Sequence, residues 1–283
     1  MVRPPNPTEP AMLIAQFTDM HVQPRDVLTF GEVHTAGHLE RAVAHVNSLP
    51  DRPDCLLLTG DLTNDGLPEQ VATLKEILAG LTVPYYLVPG NHDHRELLRD
   101  AFGHLGYLPA AGRLNYVIER HPLRLIGMDS LVDGHHHGEL GAEAIAWLDA
   151  RLAEQPGRPT VLFFHHPPFA TGIDRMDSTM LRDHGALAEV IGRHRQVERI
   201  LLGHMHRPIQ ARFAGTIAST CAGTAHQVAL RFGKGEGLRR TAEPPMVQLH
   251  WWNGAMLVTH TTYVDSFGGL STFHDNHTRI AAG

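Results

Sequence analysis

Lysine and cysteine are nearly missing from this chain of 283 residues, which has two of each against 22 histidines. Cys55 and Cys221 are too few for a disulfide framework, so a reducing, cytoplasmic compartment is expected. Cys55, inside the apolar run CLLLTG, reads as a small buried hydrophobe. Lys75 and Lys234 lie outside any GxxxxGK[ST] stretch, which excludes a P-loop nucleotide site. Basic blocks are lacking as well and the formal net charge is −6, which argues against a stable nucleic-acid partner. No apolar run approaches the roughly 18 residues of a membrane span, so no membrane partner is expected. The opening MVRPPNPTEPAM has no apolar h-region, which predicts no signal peptide. Residues 1–11 read as a disordered Pro-rich lead-in, with Met12 as an alternative start.

What the chain does have is the composition of a globular protein, with 42% apolar and 19% charged residues, and enough length to bury a core without staples. A unit recurs along it: a short apolar run, a tight turn, then a helical pattern. The runs are 12–17, 55–59, 85–88, 161–164 and 199–202, each short and rich in Leu or β-branched residues, as in strands buried on both faces. Helical spacing of apolar residues covers 35–49, 68–81 and 142–152, and a further helix is expected near 181–193. Alternating strand and helix predicts an α/β fold with mostly parallel strands. Residues 115–119 and 124–128 look like an antiparallel hairpin around His121-Pro122. After residue 207 the pattern turns mainly to β: 208–213, 216–221, 226–231, 246–252 and 256–264. Residues 233–245 read as a loop. A second sheet packed on the first accommodates these segments.

The polar residues that follow the apolar runs carry the chemistry. IAQFT leads to Asp19-Met20-His21, CLLLTG to Asp61, and YYLVPG to Asn91-His92-Asp93. VLFF leads to His165-His166, and RILLG to His204-Met205-His206. Ligands of open parallel sheets bind at the carboxyl ends of strands, so five groups of side chains should meet at one edge. Gly60, Gly90 and Gly203 stand immediately before three of these groups, where tight or left-handed backbone is needed. Asp-x-His alone carries little information, since it also begins at Asp133 and Asp275, and Gly-His-x-His recurs at Gly134. Gly-Asn-His followed by Asp or Glu is the sharp piece, expected about 0.005 times by chance, and it occurs once, at Gly90–Asp93.

Histidine nitrogen with Asp or Asn oxygen forms a donor set for borderline divalent ions such as Fe, Mn, Zn or Co. Asp19 and His21 project to one side of an extended segment, as do His204 and His206. Asp61 can bridge two ions with its two carboxylate oxygens, and a neutral Asn91 would leave its ion less neutralised. Two such ions would clamp a phosphoryl group. His92 is the candidate catalytic residue, placed to protonate a leaving oxygen or to stabilise charge on phosphate.

In order, Asp19-x-His21, Gly60-Asp61, Gly90-Asn91-His92-Asp93, His165 and Gly203-His204-x-His206 resemble the five motif blocks of the calcineurin-like metallophosphoesterases, over residues 12–210. The resemblance implies one ion on Asp19, His21, Asp61 and His206, a second on Asp61, Asn91, His165 and His204, and phosphate contact by His92. LVDGHHHGEL, FHHPPFATGIDRMDS, LLGHMHRP and CAGTAHQVAL are most similar to the bacterial class III cyclic-nucleotide phosphodiesterases and related glycerophosphodiesterases. The fold so implied is a four-layer αββα sandwich of two mixed β-sheets flanked by helices. Residues 12–232 would form the catalytic domain and 233–283 a C-terminal β extension, serving as a cap or an oligomerisation element of a homo-oligomer, a dimer or higher.

The implied activity is hydrolysis of small phosphodiesters, such as 3',5'-cyclic nucleotides including cyclic AMP or glycerophosphodiesters, by attack of a metal-bound hydroxide on phosphorus. A phosphomonoesterase, protein phosphatase or nuclease on the same site is the alternative among enzymes, and a non-catalytic scaffold is the alternative of another class. HxHxDH is absent, which argues against a metallo-β-lactamase-type hydrolase. Asn91, His92, His166 and His226 are candidate substrate contacts, with Arg175 or Asp177 as further ones. His135, His136 and His137 read as a loop covering the site or capping the next helix, and His94 as a helix start. Trp251 and Trp252 are expected on opposite faces of one strand.

Overall fold

The computed structural model describes residues 11–233 and 237–265. Most of the expected lead-in, Asp275, Lys234 and the end of the expected C-terminal extension lie outside these residues. Strands β1 (Met12–Phe17), β2 (Cys55–Thr59) and β3 (Tyr85–Val88) run parallel, joined by helices α1 (Thr35–Asn47) and α2 (Pro68–Leu78), and helix α3 (Arg95–Phe102) follows β3. The hairpin β4 (Tyr116–Ile118) and β5 (Arg124–Gly127) opens a second sheet, which continues in parallel through β6 (Thr160–Phe163) and β7 (Val197–Leu202). Helix α4 (Ala142–Glu154) connects β5 to β6, while the short α5 (Asp174–Asp177) and then α6 (His184–Arg193) lie between β6 and β7. Strands β8 (Ile209–Phe213) and β9 (Thr216–Thr220) complete that sheet, in the order β4-β5-β6-β7-β9-β8.

Strands β10 (Gln227–Val228) and β11 (Arg240–Thr241) pair only with each other, a much shorter ribbon than the strand expected over 226–231. The glycine-rich stretch that follows offers few side chains to extend the ladder. Strands β12 (Met246–Trp252) and β13 (Leu257–Tyr263) join the first sheet, in the order β13-β12-β1-β2-β3, with β12 antiparallel to β1 from Met12↔Trp252 to Gln16↔Gln248. The segment after residue 232 therefore supplies two strands to the sheet that starts the chain. Both sheets are mixed.

Alternation along each strand splits the apolar residues between two cores. Ala15, Phe17, Leu56, Leu58 and Leu87 face α1, α2 and α3, whereas Met12, Ile14, Cys55, Leu57, Tyr86 and Val88 face the other sheet. In the second sheet Ile126, Leu162, Ile200 and Leu202 pack under α4 and α6, while Leu125, Val161, Phe163 and Leu201 meet the first sheet. The result is helix, sheet, sheet, helix. Each fully buried Leu, Ile or Phe contributes roughly 1.5–3 kcal/mol, so the central strands β1, β2, β5, β6 and β7 are held from both faces. Trp252 is 1% exposed in the inter-sheet core and Trp251 is 44% exposed on the far face.

Gln16 takes the next inter-sheet position of β1 after Met12 and Ile14, but it is polar. Its amide nitrogen donates to Thr59 Oγ1 and to the Leu202 carbonyl, both at 2.9 Å, while its oxygen lies 3.1 Å from His250 Nε2. This buried network ties β1, β2, β7 and β12 together just below the strand ends.

Candidate metal centre

Three strands of the first sheet and two of the second end at the same edge, and each releases its polar residues there. Backbone bonds lock the turns to one another: Asp19 N–H to the Gly60 carbonyl (3.1 Å), His21 N–H to the Asp61 carbonyl (2.9 Å), and Gly203 N–H to the His165 carbonyl (3.0 Å). Left-handed backbone was expected of the glycines, and Gly60 has it at φ +89°. The same strain also falls on the functional residues themselves: Asp19 (φ +51°), His21 (+44°), Asp61 (+48°), His204 (+71°) and His206 (+48°). Only Phe30 and Ala214 join them among the described non-glycine residues. Each such residue costs about 1–2 kcal/mol, and strain of this kind collects at functional sites.

Gly90 serves differently. A Cβ there would stand 2.2 Å from both Asp61 N and Asp61 Oδ1, so its role is close approach of the β3 turn to the β2 turn. That approach lets His92 N–H donate to Asp61 Oδ1 at 2.9 Å. Asp61 Oδ2 is then the oxygen that faces the imidazoles, 3.6 Å from His21 Nε2 and 3.3 Å from His165 Nε2. On the other side of His21, His206 Nε2 lies at 3.1 Å, and it stands 3.6 Å from Asp19 Oδ1.

The remote nitrogens of these rings are fixed by carbonyl oxygens. His165 Nδ1 lies 2.7 Å from the Thr59 carbonyl, His206 Nδ1 2.9 Å from the His226 carbonyl, and His92 Nδ1 2.6 Å from the Asn64 carbonyl. A carbonyl only accepts, so each Nδ1 carries a proton and each Nε2 is the nitrogen turned away from that carbonyl and free of it. Thr179 Oγ1 occupies His204 Nε2 at 2.9 Å, and His204 N–H donates to Asp19 Oδ1 at 3.1 Å.

Burial pushes the pKa values of His21 and His204 well below the ordinary histidine value, which keeps both rings in the neutral, metal-binding form. For His165 burial acts the same way, but the Asp61 carboxylate outweighs it and raises the ring to about 9. Asp61 is held well below the usual carboxylate range: burial opposes ionisation, and the surrounding His165, His92 and His21 overcome it. His226 is lowered to about 3 by burial and by the neighbouring His206.

Asp19 Oδ2, Asn91 Oδ1 and His165 Nε2 are buried without a hydrogen-bond partner. Orphaned acceptors of this kind need a cation or a proton. For bonds of about 2.1 Å, adjacent ligands of one ion lie about 3.0–3.4 Å apart; the spacings of 3.1 and 3.3 Å fall in that range and the two of 3.6 Å lie just above it. Imidazole, carboxylate and amide donors around these orphaned atoms fit a pair of divalent ions.

A cavity of about 740 Å³ opens above the cluster, with His21, Asp61, Asn91, His92, His204 and His206 in its lining. His226 and Arg175 also line it. Asp177 has a local role instead, accepting from Thr171 N, Thr171 Oγ1 and Gly172 N. His166, expected as a substrate contact, is fully buried beside the rings of His165 and His204, its Nδ1 2.8 Å from Ser130 Oγ. It stands behind the cavity wall. Of the histidine triplet His136 lines the cavity, with Nδ1 3.4 Å from Asn91 Nδ2. His94 caps α3 as expected, accepting from Leu97 N at 3.4 Å.

Sequence reasoning placed Asp93 in a motif without giving it a role, and missed Thr179 and Phe30. Asp93 accepts from Gly90 N, Leu62 N, Thr63 N and Thr63 Oγ1, clasping the β3 turn to the β2 turn. Thr179 had no signal apart from its place in FHHPPFATGIDRMDST. Phe30, which lines the cavity, lies in a loop without a motif, and its one signal is the Phe-Gly pair of a tight turn.

Residues 12–208 match the model of the calcineurin-like phosphoesterase family. Among curated proteins, the chain is 36% identical over 266 residues to a probable glycerophosphodiester phosphodiesterase of Arcobacter nitrofigilis, covering 93% of this chain and 97% of that one. It is 33% identical over 221 residues to a cAMP/cGMP dual specificity phosphodiesterase of Mycobacterium tuberculosis, covering 77% and 69% respectively. Among solved structures, a dimetal phosphatase from Danio rerio superposes with a TM-score of 0.61 at 15% identity, covering 88% of this chain and 98% of that one. That last likeness is one of fold.

Proposed function

The chain belongs to the calcineurin-like phosphoesterase family, and on that premise we propose that it hydrolyses small phosphodiesters, with 3',5'-cyclic nucleotides and glycerophosphodiesters both in range. The family uses a dinuclear divalent metal centre, and this chain carries the His and Asp clusters for it. One ion is assigned to Asp19, His21, Asp61 and His206, and the other to Asp61, Asn91, His165 and His204. The observation that carries this reading is Asp61 Oδ2, flanked by His21 at 3.6 Å and His165 at 3.3 Å. The donor set suits Fe, Mn, Zn or Co.

When bound, such a pair of ions neutralises phosphoryl oxygens and lowers the pKa of a water at the site. The chain's own residues do the rest. The Asn64 carbonyl accepts a hydrogen bond from His92 Nδ1–H, so Nε2 is the nitrogen left to give a proton to the departing oxygen. Burial disfavours charge on His92, yet Asp61 and the Asn64 carbonyl raise its pKa overall, which favours the acid form. The cavity walls hold the ester arms, and a volume of about 740 Å³ supports an ester with two arms. Free, buried Cys55 and Cys221 support a cytoplasmic setting. No helix among the described residues is long and apolar enough to cross a membrane. Homo-oligomer formation through the exposed Trp251, Met256 and Tyr263 of β12, β13 and their turn is part of the reading.

The test is a substrate panel on protein reconstituted with each metal: bis(p-nitrophenyl) phosphate, p-nitrophenyl phosphate, cyclic AMP, glycerophosphoethanolamine and single-stranded DNA. Diester turnover well above monoester and DNA turnover is expected. Preference for the monoester, or no turnover with any ion, would overturn the reading.

A further inference from the structure

We infer that Phe30 is a specificity-determining residue that forms, with Met176, Val228 and Leu238, a subsite for a planar aromatic ester arm such as a nucleobase. The inference rests on the phosphodiesterase reading above and narrows its substrate class. Phe30 occupies the first central position of the turn Thr29–Glu32: Glu32 N–H donates to the Thr29 carbonyl at 3.2 Å, and Thr29 and Val33 exchange both backbone bonds at 2.9 Å around the three-residue loop. Phe30 and Gly31 both have positive φ, +57° and +74°. Turns of this form select Asn, Asp or Gly at that first position, because a large side chain is strained there. Phenylalanine contradicts local preference, and no core explains it, since the residue is 63% exposed. Its side chain lies in the wall of the cavity above the metal-ligand cluster.

The ring is held in place there. It meets the His226 ring edge-on at 5.2 Å, and His226 is itself 4.7 Å from the His206 ring. The Arg240 guanidinium stands 5.1 Å from the Phe30 centroid and pairs with Glu32, two residues along the same turn. Its charge is thus already matched, and its planar group supports the ring. Met176, Val228 and Leu238 line the same cavity. A flat apolar group entering from an ester oxygen gains the Phe30 contact, whereas a glycerol arm does not.

Competitive inhibition by phenyl phosphate and ethyl phosphate isolates the arm, since the two share the phosphoryl group. In metal-loaded wild type, phenyl phosphate is expected to bind about tenfold more tightly. Phe30→Ala should reduce that advantage to about twofold, Phe30→Gly should do the same without turn strain, and Phe30→Trp should restore it. The kcat for bis(p-nitrophenyl) phosphate is read in the same assays. An unchanged inhibitor ratio with normal turnover sinks the Phe30 subsite alone, as does a drop in Phe30→Ala that Phe30→Gly does not share. Absence of diester turnover in wild type sinks the underlying phosphodiesterase reading instead.

Discussion

His21 Nε2 and His206 Nε2 stand 3.1 Å apart in a buried site, although 185 residues separate them along the chain. Two imidazole lone pairs at that distance repel unless a proton or a cation lies between them. The His226 carbonyl already holds the other nitrogen of His206. The pair therefore has the geometry of one edge of a coordination shell.

Ion removal should accordingly be felt in stability. Chelation is expected to lower Tm by roughly 5 °C or more, since an ion at a hundred times its Kd contributes about 2.7 kcal/mol. His21→Ala and His206→Ala should begin at the lower Tm and respond little to added ion. Differential scanning fluorimetry with and without Mn or Zn reads this directly. A wild-type Tm indifferent to both chelator and metal would count against the assigned centre.

Asp61→Ala and Asn91→Ala are expected to lower turnover by at least about 100-fold through loss of metal. Elemental analysis of the purified variants is the check. Full metal content with lost activity would move these residues from holding an ion to some other role.

Gly90→Ala should be severe for a steric reason. The added Cβ would meet Asp61 N and Oδ1 at 2.2 Å, and overpacking of this kind costs about 1–3 kcal/mol. The β3 turn must then retreat from Asp61, so reduced Tm and reduced metal content should appear together. Wild-type values of both would show that the turn yields more easily than the packing implies.

His92→Ala separates proton donation from charge stabilisation. For alkoxide leaving groups kcat is expected to fall about 10²–10⁴-fold, and less than about tenfold for nitrophenolate, which needs no proton. Equal losses on both substrate types would assign His92 to phosphate charge instead.

His250 gives a pH signature away from the centre. Burial, helped by the nearby Arg199 charge, lowers its pKa to about 3. In the unfolded chain it returns to about 6.5, so below that pH the unfolded state binds a proton that the folded state refuses. Stability falls with falling pH by about 1.4 kcal/mol per unit down to about pH 3, or about 2 kcal/mol at pH 5. Urea unfolding at pH 7 and pH 5 should show a smaller loss for His250→Gln than for wild type. Equal losses would mean that His250 is already protonated in the fold.

The strand-then-polar rhythm was legible because each strand is a short apolar run and each turn carries its chemistry directly after it. Boundaries slipped where a tertiary contact competed with local pattern. The helix expected near 181 begins at His184, because Leu181 makes a bridge to Gly138 and the Asp183 carboxylate accepts from Leu140 N and Gly141 N. The segment after residue 232 read as an appendage because nothing local says that residues 246–252 pair with residues 12–16. Phe30 was passed over because an aromatic residue in a loop has no period to announce it.

By itself the sequence determined the chemical types and their order: which histidines follow a strand, where Asp61 stands alone, and that two sheets were needed. Both faces of those strands are apolar, so alternation could not say which core each residue enters. Tertiary structure decided that. It also decided that Asp61 presents Oδ2, because His92 N–H holds the other oxygen, and that Phe30 stands over the histidines. Contacts between turns of different strands depend on how two sheets stack, a long-range packing outcome that no local stretch of residues encodes.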